Sequence, residues 1–180
     1  MTASPAFSGA VADHRAAVES VADALRRVEL SAWRVPVRPG KWTPAEIAHH
    51  LALSYEPPLS ELSGGPGYAV RVPWWKRRLL RWKFLGGIVR RGEFPAGAPA
   101  PRETRPGADT LGQPESVGRL RDAASLFERR LAEASAGRRL RLHHAYFGPL
   151  TPRQTLKLLA AHAYHHEKQL PGAPGGEDPR

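Results

Sequence analysis

Four stretches of this chain carry apolar residues at helical spacing, and this periodicity limits the possible folds more than any other feature. The first runs roughly from Val11 to Leu30. The third runs roughly from Glu115 to Ala136, where Gly137 is expected to end the helix. The second and the fourth begin at Thr-Pro motifs, and no stretch shows the alternation typical of a β-strand. Four amphipathic helices therefore predict an all-α protein built as a four-helix bundle.

The second and fourth helices start with the same capping signal. In TPAE, Thr43 is the predicted N-cap, Pro44 takes the first helical position and Glu46 completes a capping box. TPRQ repeats this signal from Thr151, and the fourth helix should extend from there to about Leu170. The prolines at positions 57 and 58 should stop or kink the second helix.

Length and composition limit which class of protein this chain can be. The 180 residues suffice for one domain with a hydrophobic core, assigned to residues 1–172, with a disordered tail at residues 173–180. No apolar run is long enough to span a membrane and the first residues do not resemble a signal peptide, so a cytoplasmic location is expected. Cysteine is absent, which excludes disulfides, thiolate metal sites and a cysteine nucleophile. Any metal must then be held by His, Asp or Glu.

The net charge of +10 comes mainly from the long connection between the second and third helices. Residues 71–91 hold eight Lys and Arg and no acid, whereas the other 19 Lys and Arg nearly balance the 17 Asp and Glu. Residues 74–90 are predicted to form a short extra helix. The rest of the connection, which spans residues 64–114, should be irregular and should pack over the bundle.

Aromatic and basic residues are interleaved in this segment, and three interpretations of it stay open. The aromatic residues are Trp74, Trp75, Trp82 and Phe84. The favoured interpretation is a helix packed on the bundle or on a second copy of the chain, with its rings inward and its basic side chains reaching into solvent. Contact of residues 74–91 with a membrane surface is the second interpretation, and nucleic-acid binding is the third and the least favoured. A basic rim could also attract an anionic thiol or carboxylate substrate.

Three of the eight histidines lie on inward helix faces. At about 100° per residue, His162 and His166 are about 40° apart, on the side of the fourth helix that carries its leucines. His50 shares the inward stripe of the second helix, and it can meet the other two near the middle of the bundle if the helices are antiparallel. Buried imidazoles must be hydrogen-bonded or coordinated. The three histidines are therefore either hydrogen-bonded core residues or ligands of a metal.

As metal ligands, three neutral imidazoles would leave one to three coordination positions open, which is typical of a catalytic site rather than a structural one. The motif is not HExxH, since Ala163 stands where a zincin has its Glu, and this argues against zincin-type proteolysis. The other five histidines are expected to point elsewhere: His14, His49, His143, His144 and His165.

Two motifs resemble the DinB/YfiT-like superfamily. One is WTPAEIAHHL at residues 42–51, and the other is HAYHHEKQ at residues 162–169, which matches the pattern H-x-x-x-H-x-x-Q. HHAYFGPLTPRQ at residues 143–154 is similar to the turn before the last helix in one branch, and GEFPAGAPAP at residues 92–101 is similar to the long connection of that branch. The resemblance spans nearly the whole chain.

This resemblance implies a bacterial four-helix bundle of up-down-down-up topology, often a homodimer, whose histidine triad binds a divalent metal, commonly zinc or nickel. Carried onto this chain, the triad is His50, His162 and His166. Relatives include metal-dependent transferases of low-molecular-weight thiols, an isomerase that uses such a thiol, and proposed hydrolases. Many members have no known reaction.

The expected function is that of a metal-dependent transferase that acts on a small molecule together with a low-molecular-weight thiol. A metal-dependent hydrolase and a non-catalytic, stress-associated metal-binding bundle are the alternatives. Glu46 and Gln169 each lie one turn from a triad histidine, so both are candidates for orienting the ligands, although capping of the helix also explains Glu46. No residue is assigned as the general base.

Overall fold

The computed structural model describes residues 5–69, 72–92, 94, 99–107, 110–136 and 139–172. Its helices are, in chain order, α1 (Pro5–Arg27), α2 (Pro44–Leu53), α3 (Glu56–Leu62), α4 (Trp74–Leu80), α5 (Gly86–Arg91), α6 (Gln113–Ser135) and α7 (Pro152–Glu167). Helix α1 packs against α6 and α7, and α2 packs against α6. The predicted all-α four-helix bundle is confirmed. None of the helices in the described ranges combines the length and the hydropathy that crossing a bilayer requires.

The two predicted capping boxes are both present. The Thr43 hydroxyl accepts from the Glu46 backbone N–H at 3.1 Å, and the Glu46 carboxylate accepts from the Thr43 N–H at 2.7 Å. The same reciprocal pair joins Thr151 and Gln154, at 3.1 Å and 3.0 Å. Each box satisfies backbone donors that have no partner within the first turn of a helix. These boxes fix where α2 and α7 begin, and both helices carry triad histidines.

The helix ends differ from the predicted bounds in places. Helix α1 begins at Pro5 and ends at Arg27, several residues before the predicted bounds at each end. The second predicted helix is divided, since α2 ends at Leu53 and α3 begins at Glu56 with the two prolines in its first turn. The predicted stop at Gly137 and the predicted tail at residues 173–180 both lie outside the described residues.

The main core fills the space between the four long helices. Leu25 of α1, Ile47 of α2, Phe127 of α6 and Leu156 of α7 are all fully buried there. Apolar burial of this kind is the main favourable contribution to folding. The bundle therefore has a source of stability that does not depend on the histidine triad.

A polar network crosses the core between α1 and α6. His14 is fully buried, and its Nδ1 lies 2.7 Å from Glu128 Oε1 while its Nε2 lies 2.8 Å from the Tyr55 hydroxyl. Arg15 donates from Nε to the other carboxylate oxygen of Glu128 at 2.6 Å. Burial acts to raise the pKa of Glu128, but these hydrogen bonds together outweigh it, and the pKa lies below its usual value. His14 thus points away from the triad, as predicted.

The helical part of the basic connection packs on the bundle through apolar residues near its C-terminal end. Helices α4 and α5 are joined by a π-helical turn over Arg81–Leu85, and Leu85 and Ile88 are buried against Phe147, Leu150 and Leu158. The predicted extra helix over residues 74–90 is therefore present, and it packs on the bundle.

The predicted inward position of the tryptophan rings is wrong for the chain taken alone. Trp74, Trp75 and Trp82 are 68%, 54% and 82% exposed, whereas Phe84 packs partly buried against the bundle. The aliphatic side chains of Leu85 and Ile88, within and after the π-helical turn, make the contact instead.

A short β-hairpin precedes α7, in a region where no strand was predicted. Strand β1 (Leu142–His144) pairs antiparallel with β2 (Gly148–Leu150), with Leu142 opposite Leu150. Strands of three residues are too short to show an alternating pattern in the sequence. Gly148 has a φ of 65°, and a Cβ at this position would lie 2.5 Å from Cδ of Arg77, so both the turn and the packing of α4 favour glycine.

Candidate metal centre

Three imidazoles from α2 and α7 meet at one point inside the bundle. Nε2 of His162 lies 3.0 Å from Nε2 of His50 and 3.0 Å from Nε2 of His166. The three ring centroids are separated by 4.7 to 4.9 Å. This convergence matches the geometry that the helical periodicity predicted, while metal binding itself stays a prediction.

The tautomers of two of these rings are set by their outer partners. Nδ1 of His50 donates to the backbone carbonyl of Thr104 at 2.6 Å, and Nδ1 of His166 donates to Oε1 of Gln169 at 2.9 Å. A neutral imidazole that donates from Nδ1 presents a lone pair at Nε2. Both of these Nε2 atoms therefore point lone pairs toward Nε2 of His162.

This arrangement fits a divalent cation. A hydrogen on Nε2 of His162 could satisfy only one of the two neighbouring lone pairs at a time, whereas a cation between the rings would accept all three. Metal–nitrogen bonds of about 2.1 Å with angles of about 90° to 109° place ligand nitrogens about 3.0 to 3.4 Å apart. The two separations from His162, 3.0 Å each, fall at the short end of this range, and the ligand atoms of all three rings lie within 4.8 Å of one another.

Burial keeps the three rings neutral, which is the state that binds metals. Burial lowers the pKa of His50 to about 4, although the hydrogen bond to Thr104 opposes the shift. Burial, with a smaller contribution from the neighbouring His50, lowers the pKa of His166 to about 3. The pKa of His162 is lowered in the same direction, first by burial and then by the other two rings. No imidazolium therefore has to lose its charge at neutral pH when a metal binds.

Aromatic rings pack against the triad from two sides. Trp42, one residue before the N-cap of α2, lies over His50 and stacks on His166 with ring centroids 5.9 Å apart. Phe94, from the long connection, lies 5.3 Å from the ring of His162. The long connection therefore covers the triad, and it also supplies the Thr104 carbonyl that orients His50.

The triad lines a cavity of about 960 Å³, which is large enough for a small-molecule ligand. Apolar side chains of α4, α7 and the hairpin form much of its wall, among them Leu80, Phe147 and Leu158. Lys41 and Lys168 are exposed residues on its rim. No Asp or Glu is found among the described residues that line it. The cavity thus combines an apolar interior, neutral imidazoles and a basic rim.

Gln169 and Glu46, the two residues predicted to orient the triad histidines, make different contacts. Gln169 contacts His166 through its carbonyl oxygen, and its amide nitrogen donates to Nε2 of His165 at 3.0 Å. Glu46 instead completes the capping box at Thr43 and does not line the cavity. Of the two candidates, the structure brings only Gln169 to the triad.

None of the remaining histidines belongs to the group of converging nitrogens, in accordance with the prediction. His49 is partly buried outside the cavity, and burial lowers its pKa. His143 is held at the surface by Glu61, with Nδ1 2.6 Å from the carboxylate. His165 lines the cavity beside the triad, where its Nε2 accepts the hydrogen bond from Gln169.

His144, like His143 and His165, lines the same cavity as the triad, which corrects the prediction that these three histidines point elsewhere, although none of them belongs to the group whose nitrogens converge. The hairpin places it there, stacked on Phe147 with centroids 4.9 Å apart. The backbone N–H of Tyr146 donates to its Nδ1 at 3.2 Å, so its ring proton resides on Nε2. Burial lowers the pKa of His144 to about 4, which keeps the ring neutral at pH 7. The sequence carried no signal for this position, since it depends on how a short hairpin folds back.

Comparisons with known proteins identify a family model that matches this chain and two solved structures that are similar to it. The profile of the DinB superfamily matches residues 10–170. The structure of TT2238, described as a four-helix bundle protein, is similar with a TM-score of 0.55 and 21% identity, over 90% of this chain and 95% of that one. YfiT from Bacillus subtilis, described as a probable metal-dependent hydrolase with an unusual four-helix bundle topology, is similar with a TM-score of 0.54 and 16% identity, over 94% of this chain and 86% of that one. At these identities the two structures support the fold alone. No curated protein gives a significant match.

Proposed function

Because this chain belongs to the DinB superfamily, we propose that it is a metal-dependent enzyme that uses a low-molecular-weight thiol to attack an electrophilic small molecule. The observation that carries the proposal is the meeting of three neutral imidazole nitrogens at the wall of a cavity of about 960 Å³. His50, His162 and His166 would hold the metal, with zinc or nickel as the expected ions. Three protein ligands would leave positions for a ligand on the side that faces the cavity.

The contribution of the metal would be to lower the pKa of a bound thiol or water. The chain itself supplies the surroundings. Hydrogen bonds from His50 to Thr104 and from His166 to Gln169 fix the ligand orientation. Phe94 and Trp42 cover the imidazoles, which limits the access of bulk water to them.

The charges around the cavity favour a thiol that carries carboxylates. Lys41 and Lys168 on the rim attract anions, and no described lining residue is an acid that would repel them. A carboxylate that could act as a general base toward water is also missing from the described lining. These two features support the thiol reaction over hydrolysis.

His144 is the proposed hydrogen-bond donor to the second substrate. Its tautomer carries the proton on Nε2, and it lines the cavity that the triad also lines. A neutral imidazole with a pKa of about 4 donates a hydrogen bond at pH 7 without carrying a charge. His144→Gln should keep part of this interaction and His144→Phe should lose it, which a comparison of kcat and KM between the two variants would measure.

Hydrolysis at the same metal is the second candidate. It is favoured by the description of YfiT as a probable metal-dependent hydrolase, a protein that shares the fold at 16% identity. In that case the residues of the triad and His144 would serve the same roles toward water and a carbonyl or phosphoryl substrate.

A paired assay separates the two candidates. The metal-loaded protein would be supplied with bacillithiol, mycothiol or glutathione and a model electrophile, and in parallel with ester and amide substrates without thiol. The proposal expects a metal-dependent rate with a thiol, which is lost in His162→Ala. Lys41→Gln/Lys168→Gln should raise the KM for the thiol. Arg129→Gln/Arg153→Gln, which removes two exposed charges elsewhere, should not. Hydrolysis without any thiol-dependent rate would reject the transferase in favour of the second candidate.

A further inference from the structure

The outer face of α4 and of the π-helical turn that follows it carries an exposed apolar stripe. Trp74, Trp75, Leu79 and Trp82 are 68%, 54%, 52% and 82% exposed. They account for four of the nine exposed large apolar side chains in the described part of the chain, although they fall within nine consecutive residues. Single exposed apolar residues are common on proteins, but a cluster of this kind marks a contact surface.

Exposed cations surround this stripe. They are Lys76, Arg78, Lys83 and Arg90. None of the four forms an ion pair with a carboxylate among the described residues, and no acid occurs anywhere between positions 71 and 91. The surface therefore presents tryptophan rings together with positive charge that no described carboxylate neutralises, and it will be called the Trp/Lys face, defined by the four apolar residues and these four cations.

The opposite side of the same segment is fixed to the bundle. Leu85 and Ile88 are buried against α7 and the hairpin. Arg81 donates two hydrogen bonds from Nη1, to the carbonyls of Phe147 at 2.7 Å and Pro149 at 2.8 Å. The helical segment that carries the tryptophans is thus fixed to the bundle. Their exposure is therefore a property of the packed helix.

We propose that the Trp/Lys face docks the protein on the surface of an anionic lipid bilayer. Trp is the residue that favours the boundary between headgroups and acyl chains, and Lys and Arg beside it pair with lipid phosphates. A second copy of this chain is a poor occupant, because a two-fold interface sets the same patch against itself and would bring the four cations of each copy together. Nucleic acid is disfavoured by Leu79, which lies in the middle of the stripe and offers no ring for base stacking.

Vesicle binding of the full-length protein tests the proposal. Flotation with vesicles of phosphatidylcholine and phosphatidylglycerol should recover the protein, whereas vesicles of phosphatidylcholine alone should recover little. Lys76→Gln/Lys83→Gln should weaken partitioning about 25-fold, at about fivefold for each cation removed. Trp75→Ser/Trp82→Ser should weaken it by at least about tenfold, since both rings lose their contact with lipid. The tryptophan emission of the wild type should also shift to the blue when anionic vesicles are added.

Matched controls use exposed residues on other faces. Arg129→Gln/Arg153→Gln removes the same charge as the lysine variant, and Leu30→Ser/Leu126→Ser removes two exposed apolar side chains. Both should bind vesicles nearly as well as the wild type. Because all of the replaced side chains are exposed, circular dichroism should show the same helix content for every variant.

Three results would overturn the proposal. The first is equal loss of vesicle binding in the lysine variant and in its arginine control, which would assign binding to net charge alone. The second is a solution dimer in which the tryptophans of the lipid-free protein are shielded from acrylamide. The third is binding to a single-stranded oligonucleotide that depends on Trp75 and Trp82, while binding to anionic vesicles does not.

Discussion

Gln169→Leu removes the hydrogen-bond acceptor that orients His166 and leaves the triad itself intact. The Gln169 oxygen lies 2.9 Å from Nδ1 of His166, and it is the side chain that holds the proton of this ring on the side away from the converging nitrogens. Without it, the imidazole can rotate or place its proton on Nε2, where a metal must bind. The expected result is weaker metal binding with an unchanged fold.

The expected loss of metal affinity in Gln169→Leu depends on how exposed the contact between Gln169 and His166 is to solvent. Loss of an outer partner of a metal ligand typically lowers affinity about 10- to 100-fold. Gln169 is exposed, so water can replace its carbonyl in part, and the expected loss lies near the lower limit, about tenfold or about 1.4 kcal/mol. At a fixed excess of metal, the melting temperature of the loaded protein should then fall by about 3 to 6 °C. The metal-free protein should melt almost as the wild type does, because it loses only an exposed hydrogen bond.

A competition titration against a chelating dye would measure the dissociation constant, and differential scanning fluorimetry with and without metal would measure the thermal shifts. Gln169→Glu is the matched control, since its carboxylate still accepts the hydrogen bond from His166 and should preserve affinity. A Leu variant that binds metal as tightly as the wild type, or Leu and Glu variants that are weakened equally, would rule out this role of Gln169.

Three further outcomes are expected. Glu128→Ala should lower the free energy of unfolding by about 2 to 3 kcal/mol, because the fully buried His14 loses its charged partner. Urea denaturation would measure this loss, and the affinity for metal should stay the same. Thr151→Ala should cost about 1 kcal/mol by loss of the cap of α7, and Thr151→Ser should restore it. The metal-free protein should lose stability as the pH falls from about 6.5 to about 4, by up to about 1.4 kcal/mol per pH unit for a histidine such as His50. The sign follows because the unfolded chain takes up the proton first, and a flat stability profile over this range would contradict it.

The sequence could predict those residues of the site whose positions follow from the start and the periodicity of a single helix. The Thr-Pro capping boxes fix where α2 and α7 begin, and helical geometry then fixes which side chains share a face. His50, His162 and His166 could therefore be selected from the eight histidines by phase alone. Gln169 follows from the same rule, because it lies on the face of the fourth helix that carries His162 and His166, one turn beyond His166.

The parts that sequence could not predict depend on contacts between distant segments. His144 reaches the cavity only because a hairpin of three-residue strands folds against α7. The Thr104 carbonyl and the Phe94 ring come from an irregular connection, in which no periodicity shows where a residue will lie. The exposed Trp82 lies within the π-helical turn between α4 and α5, and such a turn has no simple sequence signature.

Coordination of the metal by the three Nε2 atoms is the central claim, and X-ray absorption at the metal edge tests it most directly. The protein would be loaded with zinc, freed of excess metal and compared with His162→Ala and His165→Ala. We expect one metal ion per chain with three imidazole nitrogens at about 2.0 to 2.1 Å. The spectrum should be unchanged in His165→Ala, whereas His162→Ala should lose one imidazole or fail to retain the ion. A wild-type spectrum without imidazole ligands, or one that His162→Ala leaves unaltered, would contradict the account.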